Sequence, residues 1–192
     1  MKSVRMALLR ILLLLSVGTF SVTIQADDDP RLADSREIVK EFAGRLQAAL
    51  QSAVSSGGPA NAIGVCKDVA PTIASELSRE RGVAVSRTSL RLRNPANLPR
   101  DWQFDVLRKF DDRKVTDTAP EFYESRPDGQ FRYMKAIPTG GLCLACHGSE
   151  IPAEVGELLD EHYPHDRARG YAAGDIRGAF SIVWPAPIQT DK

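Results

Sequence analysis

The sequence is poor in the side chains that bind metals through sulfur or imidazole nitrogen. Its 192 residues include only three cysteines and three histidines. A structural zinc site takes about four such ligands, so a zinc site would consume most of them. The chain also has no internal repeat and no low-complexity segment, which argues against solenoid and fibrous architectures.

The sequence also has no excess of positive charge. It contains 25 lysines and arginines against 25 aspartates and glutamates. Three of the basic residues, Lys2, Arg5 and Arg10, lie in the first segment of the chain. Without that segment the chain is mildly acidic, with 22 basic side chains against 25 acidic ones. Proteins that bind nucleic acids through phosphates are usually basic, so no nucleic-acid partner is expected.

Long apolar runs are absent too. The run from Ile11 to Val17 is too short to span a bilayer. It follows the charged residues Lys2 and Arg5 and precedes the small residue Ala26, an arrangement typical of a secretory signal peptide. We therefore predict a signal peptide over residues 1–26, export to the periplasm, and no stable membrane insertion after cleavage.

The rest of the chain, residues 27–192, has the length and hydrophobic content of one domain. Apolar residues at three- and four-residue steps predict a helix that begins near Asp34 or Ser35 and ends at Gly57-Gly58-Pro59, after a mobile linker over 27–32. The other predicted elements are a helix over 60–80 that Pro71 interrupts, a strand over 83–92, a helix over 100–114, strands over 121–126 and 130–137, a helix over 152–162 and a strand over 177–184. The fold class is therefore α+β.

The most informative motif is Cys143-Leu144-Ala145-Cys146-His147. Two thiols separated by two residues and followed by a histidine form the attachment signature of c-type haem. Each thiol can form a thioether with one haem vinyl group, and His147 is then the expected proximal iron ligand. We predict one covalent haem c. Its attachment outside the bacterial cytoplasm is consistent with the predicted signal peptide.

Three other interpretations of this cysteine pair remain open at the level of sequence. A structural zinc site would need Cys66, His162 and His165 to complete it. A thioredoxin-like redox pair is expected in a βαβ context, which the predicted elements lack. A plain disulfide is the third. The glycines on both sides of the motif predict an open loop that could admit a porphyrin edge.

Cys66 is the odd cysteine, and it falls on the predicted core-facing side of its helix. A lone cysteine in such a place is usually a small buried hydrophobe. A thiolate is also a strong axial ligand for ferric haem, so Cys66 is a candidate distal ligand. The alternative distal ligands are Met134, His162 and His165.

Three arginines, Arg87, Arg91 and Arg93, alternate along one side of the predicted strand over 83–92. Guanidinium groups form charge-assisted hydrogen bonds with carboxylates. The side is therefore either a solvated strand face or a set of partners for haem propionates.

Four segments together resemble the c-type haem domains of PAS-like fold found in cyanobacteria and other bacteria. They are the helix from Ala62 to Pro71, the stretch from Arg91 to Asn97, the motif from Cys143 to Gly148 and the ending from Tyr171 to Ser181. The resemblance implies a central antiparallel sheet with flanking helices and one covalent haem with His147 and Cys66 as axial ligands. It also implies electron transfer with a redox partner protein, or redox signalling.

Two further functions stay open. In a haem-based sensor, reduction would weaken the bond between iron and sulfur, and a small diatomic ligand such as carbon monoxide or nitric oxide would take the vacated position. A haem enzyme such as a peroxidase would need a vacant distal site beside an acid-base group. His162 or His165 could supply that group, but a coordinated Cys66 would obstruct the site.

Overall fold

A computed structural model describes residues 29–112, 115 and 118–188 of the protein. The predicted signal peptide, residues 1–26, lies outside the described residues. The elements are, in chain order, α1 (Pro30–Gly64), a π-helical turn (Val65–Val69), α2 (Ala70–Arg81), β1 (Ala84–Thr88), a 3-10 turn (Pro95–Asn97), α3 (Asp101–Asp111), β2 (Glu121–Ser125), β3 (Phe131–Pro138), α4 (Gly141–His147), α5 (Ala153–His162) and β4 (Ile176–Trp184). Within the described ranges, no helix has the length and apolar character needed to cross a membrane.

The four strands form one antiparallel sheet in the order β1-β4-β3-β2. Side chains alternate between the two faces of a strand, and both faces of β3 are apolar here. Phe131 and Tyr133 lie on the face that α1 and α2 cover, whereas Met134 and Ala136 lie on the face that α3 covers. The helices therefore flank the sheet on both sides, which confirms the predicted fold class of a PAS-like antiparallel sheet with flanking helices.

The larger core lies between the sheet and the helices α1 and α2. Its centre is fully buried, and the rings of Phe42 and Phe180 lie 5.1 Å apart between centroids. Its buried members are Leu32, Ile38, Val39, Phe42, Leu46, Ala70, Ile73, Leu77, Val83, Val85, Phe131, Tyr133, Ile137, Phe180 and Ile182. Burial of this apolar surface supplies most of the driving force for folding.

Helix α1 begins earlier than predicted. The side chain of Asp29 caps it by accepting a hydrogen bond from the backbone N–H of Arg31 (3.0 Å), and Pro30 occupies the first helical position. Arg31 also donates to the carbonyl of Gly129 (2.8 Å), which ties this end of the helix to the turn between β2 and β3. The prediction of a mobile linker is therefore wrong for residues 29–32, because a cap and a tertiary contact order them.

The predicted break at Gly57-Gly58-Pro59 is confirmed. Gly57 and Gly58 leave the helical region of backbone conformation, and Gly58 has a φ of +72°, which favours glycine. The chain then returns to a helix as far as Gly64 and continues through the π-helical turn into α2. Residues 59–81 therefore form a nearly continuous rod, and the break allows its direction to differ from that of the first part of α1.

Candidate functional site

The C-x-x-C-H motif forms a short helix. Helix α4 covers the motif, where an open loop was predicted. Cys143, Cys146 and His147 have the i, i+3, i+4 spacing that places side chains on one face of a helix. Gly148 ends the helix by donating its N–H to the carbonyl of Leu144 (2.9 Å), and a Cβ at this position would lie 2.7 Å from that oxygen. The flanking glycines therefore delimit a helix.

A cleft lies beside α4, and its lining has two parts. Both parts share Cys66, Arg93, His147, Tyr163 and Arg177. The other members of the apolar part are Leu50, Val54, Pro59, Ala62, Ile63, Leu142, Cys143, Ala145, Cys146 and Leu159. The other members of the polar part are Arg87, Thr88, Ser89, Arg91, Asn94, Asn97, Ile137, Ala168 and Gly178. The cleft is thus apolar along α1 and α4 and cationic beside the sheet.

The ring of His147 is held in one orientation. Its Nδ1 lies 2.7 Å from the carbonyl oxygen of Ala168, so Nδ1 carries the proton and donates it in a hydrogen bond. Burial, together with the charges of Arg177 and Arg93, lowers the pKa of His147 to about 3. The imidazole is therefore neutral at ordinary pH, with its lone pair on Nε2, the atom that would bind a metal. A hydrogen bond from the other ring nitrogen is usual for a histidine that binds a metal.

The guanidinium group of Arg93 contacts both the motif and the loop that contains Asp166. Its Nη2 donates to the carbonyl of Cys146 (2.5 Å) and pairs with Asp166 Oδ2 (3.1 Å). Both side chains of this ion pair are almost inaccessible, with 9% of Arg93 and 1% of Asp166 exposed. Nη1 lies 3.5 Å from His147 Nε2, and the buried Nε of Arg93 has no hydrogen-bond partner. One of the predicted arginines is thus at the centre of the site.

The other two predicted arginines line the polar part of the cleft as well. Arg87 is half-buried, and this burial lowers the pKa of its guanidinium group. Arg91 is exposed at the rim, where its Cζ lies 4.7 Å from the ring centroid of Tyr171. The strand β1 ends at Thr88, so Arg91 and Arg93 belong to the bent segment after it and not to a strand face.

Arg177 is a site residue that the sequence analysis missed. It lies next to the start of β4, lines both parts of the cleft and has a buried Nε without a hydrogen-bond partner. It stands in the Tyr171–Ser181 segment that carried part of the family resemblance, and this was the available signal. A second signal is its neighbour Gly178, whose missing side chain lets the backbone lie close to Thr88.

Cys66 faces the cleft and not the sheet core. It is half-buried, it lines both parts of the cleft, and it lies in the π-helical turn. Pro71 has no N–H to donate to the Lys67 carbonyl, and the N–H of Ala70 bonds to the carbonyl of Val65 in a wider turn. The prediction that Cys66 points at the core is wrong, since this wider turn changes which side it faces. Turns of this kind are frequent at functional sites.

The other candidate ligands do not line this cleft. His162 and His165 are exposed, and Met134 is fully buried between the sheet and α3. The three cysteines are free thiols. In the part of the chain that the structure describes, no group of three or more His, Cys, Asp or Glu side chains is placed to hold a metal ion. The zinc interpretation therefore lacks its set of ligands.

The lining of the cleft matches one kind of cofactor. A flat apolar ring that carries carboxylates would meet apolar side chains on one side and guanidinium groups on the other. The unpartnered Nε atoms of Arg93 and Arg177 are donors that such carboxylates could satisfy. A metal at the centre of the ring could bind the nitrogen of His147 and the sulfur of Cys66.

Comparison with known proteins relates this chain to one group. A family model described as Tll0287-like matches residues 19–185. The crystal structure of the cyanobacterial heme-protein Tll0287 is similar in fold, with a TM-score of 0.65 and 25% sequence identity, over 85% of this chain and 99% of that chain. No curated protein sequence matches. Because the family model spans most of the sequence, the protein belongs to the Tll0287-like family.

Proposed function

We propose that this protein is an exported c-type haem protein that acts in electron transfer or redox signalling. One haem would be attached to Cys143 and Cys146, with His147 as proximal and Cys66 as distal iron ligand. The observation that carries the proposal is that Cys66 and His147, which are far apart in sequence, line one cleft together with both motif cysteines. The similar fold of a protein described as a heme-protein supports it.

Each side chain has a defined task in this proposal. The two motif cysteines share a face of α4, which suits attachment of two vinyl groups of one porphyrin. The hydrogen bond from His147 Nδ1 to Ala168 leaves Nε2 unprotonated for the iron. The half-buried position of Cys66 shields its sulfur from bulk water while leaving it open to the cleft.

The arginines would hold the carboxylates. Arg87, Arg93 and Arg177 are the inner cations of the polar part, and Arg91 is the outer one. Propionates placed there would satisfy the unpartnered donors of Arg93 and Arg177 and would offset the positive charge of the cleft. This arrangement explains why several guanidinium groups are gathered in a region with little access to water.

When bound, haem supplies an iron that exchanges one electron. The anionic sulfur of Cys66 favours the ferric state, so we expect a reduction potential below that of cytochromes with histidine and methionine ligands. The partner would be a redox protein that approaches the haem edge from outside. The exposed side chain of Leu142 and the half-buried cysteines show that the α4 side of the cleft is accessible. A peroxidase is disfavoured because neither His162 nor His165 lines the cleft.

Spectroscopy of the exported protein tests the proposal. We expect covalent haem that survives extraction with acidified acetone, and a low-spin ferric electron paramagnetic resonance spectrum typical of a thiolate ligand. In Cys66→Ser the haem should stay attached and the thiolate character should disappear. Met134→Leu, which replaces a buried sulfur outside the cleft, is the matched control and should leave the spectrum unchanged. In the double variant Cys143→Ser, Cys146→Ser, the haem should no longer be covalently bound.

Two results would contradict the assignment. An unchanged spectrum in Cys66→Ser would show that Cys66 does not bind the iron and has only a packing role. Haem that can be extracted from the unmodified protein would rule out covalent attachment. Carbon monoxide binding separates the two roles in the proposal: binding to the ferrous protein would favour signalling through a released Cys66, and no binding would favour electron transfer.

A further inference from the structure

We propose that Asp166 is a positioning residue for the iron ligand His147, and that it acts through the backbone of Ala168. The proposal rests on the function proposed above, in which His147 binds iron. Asp166 was not among the candidate residues found in the sequence, and it does not line the inner cleft. Its role follows from the hydrogen bonds around its carboxylate.

The carboxylate of Asp166 is the buried end of a chain of contacts that leads to the imidazole. Oδ1 accepts a hydrogen bond from the backbone N–H of Ala168 (2.9 Å). The carbonyl of the same residue accepts the hydrogen bond from His147 Nδ1 (2.7 Å). The N–H of Ala168 is thus held by Asp166, and its carbonyl accepts from His147 and, at 3.3 Å, from Nη2 of Arg93, which is itself paired with Asp166. The position of the carbonyl that orients the ring therefore depends on the carboxylate.

The second oxygen of Asp166 fixes the carboxylate itself. Oδ2 accepts from Arg169 Nε (2.8 Å) and pairs with Arg93 Nη2 (3.1 Å). Only 1% of the Asp166 side chain is exposed, and burying a charge is costly unless it is paired in this way. Three donors meet at this buried carboxylate, the backbone N–H of Ala168 and the side chains of Arg93 and Arg169, and together they fix its position.

The loop around Ala168 is held on both sides by backbone hydrogen bonds. Arg167 donates to the carbonyl of Leu92 (2.8 Å), and Tyr171 donates to the carbonyl of His147 (2.9 Å). Between these two anchors, the N–H of Ala168 is held by the Asp166 side chain. Loss of this bond would leave the ends of the loop in place, and the middle, which holds the imidazole, would keep only the long hydrogen bond from Arg93 (3.3 Å).

The test compares Asp166→Asn with Asp160→Asn in the haem-containing protein. Both substitutions remove one negative charge that pairs with Arg169, but Asp160 is 71% exposed and pairs with Nη2 of that arginine, whereas Asp166 pairs with Nε. An asparagine at position 166 keeps the shape, but its single acceptor oxygen can occupy either the Oδ1 place beside Ala168 or the Oδ2 place beside the arginines, and its NH2 group then faces the other donors. The first readout is the solvent exchange of the His147 Nδ1 proton by nuclear magnetic resonance. The second is the number of low-spin species in the electron paramagnetic resonance spectrum.

We expect exchange of this proton to become faster by about fivefold in Asp166→Asn, the factor that corresponds to losing one ordinary hydrogen bond. We also expect a second low-spin species, because the imidazole plane is no longer fixed. Asp160→Asn should behave like the unmodified protein in both readouts.

The other possible results distinguish a failure of the positioning role of Asp166 from a failure of the proposed haem function. Unchanged exchange and a single species in Asp166→Asn, in a protein with normal covalent haem, would overturn the positioning role and leave the proposed function intact. Equal effects of both substitutions would show that the loss of a negative charge beside Arg169 causes the change. This result would also overturn the positioning role of Asp166. If the unmodified protein holds no covalent haem, both proposals are wrong. If Asp166→Asn does not fold, Asp166→Glu keeps the charge and displaces the carboxylate, and exchange as slow as in the unmodified protein would then contradict the inference.

Discussion

The sheet core and the cleft treat buried polar groups differently. In the sheet core they have partners: Trp184 Nε1 donates to Ser35 Oγ (2.9 Å), and on the opposite face Gln103 Nε2 donates to Ser181 Oγ (2.9 Å). In the described part of the chain, three buried side-chain atoms have no hydrogen-bond partner, and two of them, the Nε atoms of Arg93 and Arg177, line the cleft. Because unpaired buried groups are costly, the core is built for stability and the cleft for binding.

This difference separates the expected effects of substitutions. A change in the core should lower the free energy of unfolding and leave the haem spectrum as it is. A change in the cleft should alter the haem and leave the fold stable, or even make it more stable. The two regions meet at Ile137, which belongs to the core and lines the cleft, and at Arg87, whose Cζ lies 5.8 Å from the ring centroid of Phe42.

The largest effect on stability is expected for Phe42→Ala. The side chain is fully buried between α1 and the sheet, and truncation of a buried phenylalanine lowers the free energy of unfolding by about 3–5 kcal/mol. Urea unfolding measures this, with the half-exposed Phe104→Ala as control. A haem spectrum that changes in Phe42→Ala but not in Phe104→Ala would show that the core and the cleft are coupled.

A smaller effect of opposite sign is expected for Arg177→Met. This substitution removes a buried guanidinium nitrogen that has no partner and keeps the length of the side chain. In protein produced without haem, we expect the free energy of unfolding to rise by about 1 kcal/mol, the lower end of the cost of an unsatisfied buried donor. Arg79→Met, at an exposed position of α2, is the control and should change little. A decrease in stability for Arg177→Met would contradict the contrast between core and cleft.

The smallest effect concerns pH and lies at the edge of the sheet core. A hydrogen bond from Arg36, opposed by burial and aided by Tyr133, lowers the pKa of Glu121 from 4.5 to about 2. A carboxylate whose pKa is lowered by folding stabilises the protein above its unfolded pKa and ceases to do so as the pH falls through its folded pKa. Glu121 should therefore contribute fully above about pH 4.5, and its contribution should fade towards pH 2.

Urea unfolding between pH 2 and pH 6 tests this contribution. Glu121→Gln should lower stability at pH 6 by about 0.5 kcal/mol, which allows for its partly exposed ion pair, and by less at low pH. Glu124→Gln, on the same strand and in an exposed ion pair, is the matched control. Equal pH profiles for the two variants would show that Glu121 makes no special contribution to the stability of the sheet edge.

The features that could be predicted from the sequence are those with local causes. The hairpin of β2 and β3 follows from Pro127-Asp128-Gly129, in which Gly129 has a φ of +85° and donates to the carbonyl of Arg126 (2.9 Å). The break at Gly57 and Gly58 has a similar local cause. The C-x-x-C-H motif could likewise be identified from its local spacing, although it forms a short helix and not the predicted open loop.

The features that could not be predicted depend on distant residues. The start of α1 is ordered by Asp29, which also accepts a hydrogen bond from Ser125 (3.0 Å) in β2. Arg177 and Asp166 become parts of the site only when the loop before β4 folds against α4. No spacing along the chain announces such contacts, and a charged side chain is usually assigned to the surface.

The π-helical turn lets the helical rod over residues 59–81 pack against α5 before the turn and against the sheet after it. Before the turn, Ile63 packs against Val155 and Leu159 of α5, and after it, Ile73 and Leu77 pack in the sheet core. Successive residues of an α-helix are rotated by about 100° around its axis. The extra residue in the π-helical turn therefore rotates the side chains that follow the turn relative to those that precede it. It lets both ends of the rod keep their apolar contacts while the thiol between them faces a third direction. The alignment of Cys66 with the cleft is thus set by the number of residues between two packed surfaces, and the loss of one residue there would turn the sulfur away without unfolding the rod.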